Sequence, residues 1–290
     1  MPIMNTVIAG GGTTPTGTIT ITSNGITDVT NYANADVQVP TTAPALYREF
    51  QLDNNGVLEP NTTTTHIMDF TGMTDVGNYA LTRAYLGNAA ISGAVNMSDL
   101  TTLSGSNACN SMFTGCTGIT SVSLPALTTV SGGNACGSMF SGCTGIISIN
   151  LPALTTIDVN YACPSMFANC TGIISVDLPA LTTVSGTQAC NGMFTGCTGL
   201  TSVNIPALTT ITGSMAFSNA FESSSLSTLY IGGTTAIDFG NRTNQFSDMF
   251  SGCTQNIDVY APAANQAKIE SFSGYPNFGA SGNVVWHWRS

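Results

Sequence analysis

The 290-residue sequence predicts a mainly β chain wound as a solenoid of about seven 27-residue coils, with short helical or 3₁₀ segments and a small β region in front. Three observations predict it. A long phrase recurs, "NACNSMFTGCTGITSVSLPALTTVSGG" from Asn107 to Gly133 being followed by "NACGSMFSGCTGIISINLPALTTIDVN". Within each copy the apolar spacing switches from helical to alternating. The outermost copies are degraded, as the caps of a stack of mutually dependent coils are.

Four near-identical copies begin at Asn107, Asn134, Tyr161 and Gln188. A fifth, "MAFSNAFESSSLSTLYIGG", begins at Met215 with one residue lost near Ser225, and a sixth, "NQFSDMFSGCTQNIDVYAPA", at Asn244. Upstream, "AVNMSDLTTLSGS" matches the end of an eroded copy. In the copy at Asn107, Ala108, Cys109, Met112, Phe113 and Cys116 share one stripe, which reads as a short helix or 3₁₀ coil. Thr117-Gly118 breaks it, Gly118 being free to take a positive φ. Val122 and Leu124 then alternate with Ser121 and Ser123, as in a strand with one buried face. Pro125 ends that strand, and Leu127 and Val130 turn inward again. Too few side chains face inward per copy to offset the entropy of ordering its backbone, so no coil folds alone. Strands stack about 4.8 Å apart, whereas helices need up to about 10 Å. The expected shape is a horseshoe or bent rod with its strands on the inside.

The chain divides into an arm or linker at 1–16, a small β region at 17–79, the solenoid at 80–262 and a C-terminal cap at 263–290. "AGGGTTPTG" has the composition of a flexible linker and lacks a phosphate-loop lysine. In the β region Ile19 and Ile21 alternate, Asn24-Gly25 supplies a hairpin turn, and Val37 and Val39 alternate again. "YREFQLDNNGVLEP" offers a further strand–turn–strand around Asn54-Asn55-Gly56. The cap holds a last strand with Tyr260, a short helix from about Ala263 to Phe272, and a final strand whose Trp286 and Trp288 seal the end.

Charged residues are only 7% of the chain, five basic against fifteen acidic, for a net charge of -10. Lys268 is the only lysine, and Arg48, Arg83, Arg242 and Arg289 are scattered. Binding to nucleic acid needs a basic patch, so that class is excluded. No window approaches 18 uninterrupted apolar residues, so no membrane insertion is expected. The start "MPIMNTVIAGGGTTPTG" lacks a basic region and an apolar core, and reads as no signal peptide. A chain working outside the cell would then leave by another route, or be carried on a particle.

The nine cysteines form two columns, Cys109, Cys136, Cys163, Cys190 and Cys116, Cys143, Cys170, Cys197, Cys253. Their spacing is unlike the short pairs of structural zinc, and no histidine joins them, so no metal site is expected. Phe217 and Phe246 stand in the first column of the degraded copies, and nine is odd, which argues against a disulfide in each coil. The thiols are read as packing. With Phe113, Phe140, Phe167 and Phe194 they form the expected structural core.

No catalytic constellation and no cofactor site is found. From Asn107 to Ser214 the charged residues are Asp158 and Asp177, and His66 and His287 read as isolated surface or capping residues. Asn61 starts an N-glycosylation triplet. On the outward strand positions Ser121, Ser148, Ser175 and Ser202 are identical, while the next column reads Ser123, Asn150, Asp177, Asn204. Asn150, Asp177 and Asn204 are the expected recognition face, with Tyr161 as the aromatic of the repeat surface. They would hold a glycan through amide and carboxylate hydrogen bonds. The plainer alternative, a solvated strand face, stays open.

The motif "MFTGCTGLTSVNIPALTTI", Met193 to Ile211, resembles the BspA-type leucine-rich repeat, whose pattern is approximately A-F-x-x-C-x-x-L-x-x-I-x-L-P. The resemblance covers about Ala94 to Pro262, with Met-Phe in place of Ala-Phe, a longer period and an extra cysteine column. It implies a leucine-rich-repeat solenoid and a surface or adhesive module without catalytic residues. "GTITITSNGITDVTNYANADVQVP", Gly17 to Pro40, is similar to short β modules near the N-termini of bacteriophage tail and other structural proteins. That implies a non-enzymatic virion component (tail, fibre or head-attached) made in the host cytoplasm. It would anchor to other virion proteins through the N-terminal region, form a homo-oligomer and present the solenoid to a host-surface glycan or protein. Unpaired thiols suit synthesis in a reducing cytosol. The alternatives are a bacterial cell-surface adhesin and an intracellular protein-binding scaffold.

Overall fold

The computed structural model describes residues 74–78, 81–83, 85–87 and 91–290, and before them the backbone of six strands between Thr16 and Asp69. Each coil runs round three sides. The first side is a strand: Ser92–Asn96, Gly118–Ser123, Ser148–Asn150, Ser175–Asp177, Ser202–Ile205, Thr228–Ile231, Ile257–Pro262 and finally Val284–Arg289. These stack in parallel with equivalent residues opposed, Ser121 on Ser148 and Ser175 on Ser202. The ladder is interrupted once, between Ser148–Asn150 and Ser175–Asp177, which belong to different sheets. The second side is a continuous five-stranded sheet of two-residue strands, Thr102–Leu103, Thr129–Val130, Thr156–Ile157, Thr183–Val184 and Thr210–Ile211, which bridges that interruption. Threonine hydroxyls reinforce it: Thr128 donates to the Thr101 carbonyl at 3.0 Å and Thr155 to that of Thr128 at 3.0 Å.

The third side corrects the expected helix. It is a chain of β-turns, with positive φ at every fourth residue: Asn107 (53°), Ser111 (54°) and Gly115 (77°). Alternate amides close turns, as Cys116 N–H does onto the Phe113 carbonyl at 3.0 Å. The amides between them reach the next coil, Phe113 N–H to Met139 O at 2.8 Å and Gly115 N–H to Ser141 O at 2.7 Å. A four-residue turn repeat and a helix share the i, i+4 apolar spacing, so the stripe alone does not separate them. A helix would consume its amides internally, whereas here every second amide binds the neighbouring coil. The turn side is therefore held by backbone hydrogen bonds as the strand side is, and the bend expected from a wide helical side loses its cause.

Gly118 also differs from expectation. The positive φ falls on Gly115, and Gly118 opens the strand, where a Cβ would lie 2.4 Å from the Ile91 carbonyl oxygen. Its counterparts Gly145 and Gly199 stand equally close, at 2.4 and 2.3 Å, to carbonyls of the coil before. Glycine is required there by close approach rather than by φ.

The interior is a single apolar cluster built of columns. Tyr85, Phe113, Phe140, Phe167, Phe194, Phe221 and Phe250 form one stack, with ring centroids 5.2 Å apart at its start and 6.1 Å at its end. All nine cysteines are free and buried. Those of the second column do more than pack. Cys143, Cys170, Cys197 and Cys253 donate their thiols to the carbonyls of Phe113, Phe140, Phe167 and Phe221 at 2.9–3.1 Å. Burial pushes the Cys143 and Cys197 thiols up to about 12. In the first column the neighbouring Cys136 thiol together with burial raises Cys163 well above the ordinary thiol range.

In front of the solenoid, Thr16–Ser23 and Ile26–Ala33 pair as an antiparallel hairpin with Ser23 opposite Ile26, and Asp36–Val37 adds to it. Thr16–Ser23 also pairs with His66–Asp69, which meets Ser92–Asn96 at Asp69 and Asn96. These strands are thus the first members of the solenoid's own strand sheet. Phe50–Leu52 and Leu58–Pro60 form a separate hairpin. The linker up to residue 15, the turns at Asn24-Gly25 and Asn54-Asn55-Gly56, Val39 and the Asn61 triplet lie outside the described residues.

At the other end a 3₁₀ turn, Ala263–Asn265, runs into a helix, Gln266–Glu270. Asn265 is buried, accepting from the Ile237 N–H at 2.6 Å and donating to its carbonyl at 2.7 Å. Trp286 and Trp288 stack at 5.6 Å, and Trp286 packs on Phe278 and Tyr275, closing the last coil.

Candidate recognition surface

The strand side carries one outward side chain per coil in a column. The register sets Ser123 beside Asn150, and Asp177 beside Asn204, Tyr230, Tyr260 and His287 in turn. Neighbours in the column bind one another. Asn150 Nδ2 donates to Ser123 Oγ at 3.4 Å and Asn204 Nδ2 to Asp177 Oδ1 at 2.9 Å. Tyr230 stacks on Tyr260 and Tyr260 on His287, each at 4.5 Å. His287 Nε2 meets Asp258 Oδ1 at 2.8 Å, so this histidine is not isolated. The Arg289 guanidinium lies 5.7 Å over the Tyr230 ring, a cation–π arrangement.

The residues expected as one face are brought together only in part. Asp177 and Asn204 are hydrogen-bonded neighbours, and Asn150 lies across the interruption in the ladder. Beside that interruption Ile147 and Ile174 are 63% and 60% exposed, an apolar pair in the column Thr120, Ile147, Ile174, Thr201. Tyr161, 49% exposed with φ 57°, opens the turn side of its coil and is not part of the strand column.

Tyr230, Tyr260 and His287 were missed because the late coils change length. The column step is 26 residues from Asn204 to Tyr230 and 30 from Tyr230 to Tyr260, against 27 from Asp177 to Asn204. The signal was present: "TLYI" aligned with "SVNI" sets Tyr230 on Asn204. The surface can offer aromatic ring edges, amides and two carboxylates, and it is open to solvent. Among the described residues no three His, Cys, Asp or Glu side chains group to hold a metal ion. Among those residues, too, no helix is long and apolar enough to cross a membrane.

The model of the BspA type leucine-rich repeat region matches residues 70–170, 96–222 and 185–276. The chain belongs to this family. Its matched stretches take in the turn side, the phenylalanine stack and every strand of the column up to Tyr260. No curated protein matches the chain. A leucine rich cell surface protein from Faecalibacterium prausnitzii A2-165 is a solved structure similar to it, at 21% identity and a TM-score of 0.40 over 72% of this chain. The alignment covers 52% of that protein, so this BspA-type chain spans about half of its length.

Proposed function

We propose that this BspA-type chain is a non-enzymatic binding module of a bacterial cell surface, an adhesin-type repeat that presents its strand side to a partner. The observation that carries the reading is the outward column from Asp177 through Asn204, Tyr230 and Tyr260 to His287, one chemically distinct group per coil on a rigid, regular frame. Such an array suits recognition of an extended surface, as concave or ribbed repeat faces do. Asp177 and His287 of this column are paired on an open face, with Asn204 and with the neighbouring Asp258, an arrangement for contact rather than for turnover. The virion reading rests on the resemblance of Gly17 to Pro40. The strands in that stretch continue the solenoid sheet, which gives the segment a use within this chain as its N-terminal cap.

The test is immunogold electron microscopy on cells and cell-free particles from one culture. Gold on the cell envelope is the expected result. Gold at a fixed place on phage particles overturns it and makes the chain a virion appendage.

A further inference from the structure

The turn side holds a groove of about 490 Å³ that crosses four coils. It exists because two outward columns shrink together. One reads Thr114, Ser141, Ala168, Thr195, Glu222, the other Ser111, Ser138, Ser165, Gly192, Asn219. Both pass through their smallest members in the coils beginning at Tyr161 and Gln188, which leaves a hollow whose lining extends to Asn219 and Glu222 in the next coil. The volume falls in the range of small-ligand sites, about 300–1,000 Å³.

The groove differs from the strand side in where its hydrogen bonds go. On the strand side Asn204 is spent on Asp177 and Asn150 on Ser123. In the groove the side chains of Ser138, Ser141, Ser165, Asn169 and Glu222 make no hydrogen bond among the described residues. Those five side chains, with several donors and acceptors, converge on one hollow and are free to bind a ligand in place of water. Apolar wall is nearly absent, Ala168 being the one apolar side chain of the lining, so a hydrophobic ligand finds no purchase. The single charge of the lining is the Glu222 carboxylate, and the chain carries a net charge of -10, so an anionic ligand is repelled. Coils repeat at the spacing of strands in a sheet, about 4.8 Å, close to the rise of one sugar unit in an extended β-linked chain.

We propose that this groove binds an uncharged, extended oligosaccharide laid along the solenoid, one sugar unit per coil, its hydroxyls bonded to the free serine, asparagine and glutamate side chains. This rests on the reading of the chain as a binding module, and it adds a ligand class and a second face.

The experiment is isothermal titration of the full chain with cellohexaose, xylohexaose and mannohexaose, and with an oligogalacturonate as the acidic control. Four proteins are compared: the native chain, the groove variants Ser141→Tyr and Glu222→Ala, and the strand-side double variant Asp177→Ser/Asn204→Ser. The Ser141 column already accepts Glu222, so a larger side chain there fits the coil, and Glu222→Ala only shortens a surface side chain. The native chain is expected to bind at least one neutral hexaose and not the acidic oligomer. Each groove variant is expected to weaken that binding at least tenfold, and the strand-side variant to leave it unchanged. Failure of all three neutral hexaoses, or equal binding of the acidic one, overturns the proposal. Loss of binding in the strand-side variant alone also overturns it, while leaving the chain a binding module. Surface labelling by immunogold is independent of every one of these outcomes.

Discussion

The Cys143 thiol donates to the carbonyl of Phe113, in the coil before it, at 2.9 Å. That carbonyl already accepts the Cys116 N–H of its own turn at 3.0 Å. One backbone oxygen thus closes a turn and clamps the next coil, while the Phe113 ring lies 5.3 Å from Phe140. Cys143→Ala removes the clamp but leaves the oxygen its turn bond, so no buried acceptor is orphaned. The expected cost is about 1–2 kcal/mol, one hydrogen bond plus a small void. A urea unfolding midpoint lowered by that amount checks it, and an unchanged midpoint would reduce the thiol to filler.

Alkaline pH should unfold this chain. An ordinary thiol ionises near 9, and in the folded chain burial holds Cys143 and Cys197 up to about 12. Between those values the folded state keeps protons that the unfolded state has released. Stability is therefore full below pH 9 and falls as pH rises towards 12, by up to about 1.4 kcal/mol per pH unit for each such thiol. Tm measured from pH 7 to 11 is expected to hold level and then drop. Cys143→Ala/Cys197→Ala should flatten the drop, and a profile that stays level to pH 11 would contradict the assignment.

Position in the aromatic stack should decide the cost of losing a ring. Phe167 has rings on both sides, at 5.5 and 5.7 Å, whereas Phe250 ends the stack with Phe221 at 6.1 Å. Both are buried. Phe167→Ala is expected to cost about 3–5 kcal/mol. Phe250→Ala should cost less by about one stacked pair, ~0.5–1.5 kcal/mol. Chemical denaturation of the two variants side by side reads the difference.

Two glycines of successive coils should answer oppositely to alanine. A Cβ on Gly145 would stand 2.4 Å from the Thr117 carbonyl oxygen and 2.8 Å from that of Ile119, whereas on Gly133 the nearest atom is 3.9 Å away. Gly145→Ala forces two coils apart and is expected to abolish soluble expression or lower Tm by more than 10 °C, a loss of several kcal/mol. Gly133→Ala is expected to be neutral or stabilising by about 0.4–1 kcal/mol, through a less free unfolded chain.

For the strand side, replacing Tyr230 and Tyr260 with serine removes the stacked pair without touching the core column of Leu229 and Val259. Adhesion of beads coated with this variant to the partner surface is expected to fall at least tenfold, with Tm within a few degrees of the native chain. Replacing Asn150, Asp177 and Asn204 together tests the polar half of the same column, and undiminished adhesion in both variants would remove the strand side from the reading.

The inward columns were legible in the sequence because each repeats a buried requirement: Phe113, Cys116, Val122, Leu124 and Leu127 sit in the core where the pattern sets them. The backbone of the turn side was not, because helix and four-residue turns bury the same i, i+4 stripe. What separates them is the positive φ at Asn107 and Ser111, residues that a pattern does not mark as left-handed. The exposed Ile147 and Ile174 were hidden for the reverse reason, since apolar letters next to a strand read as core. The groove was the least legible feature. It arises from small side chains in two columns whose successive members are 27 residues apart in sequence and become neighbours only once the coils are stacked.

The hydrogen bonds that join one coil to the next, such as Phe113 N–H to Met139 O, run along the long axis of the molecule. Tension applied between the ends of the solenoid therefore loads one coil interface at a time, by peeling, instead of shearing all of them together. Each coil that yields frees 27 residues, about 90 Å of extended chain. With all nine thiols free, no covalent crosslink halts the unspooling. Through its four near-identical coils a stretched molecule would lengthen in even steps at nearly constant force, and recoil by rewinding the same turns.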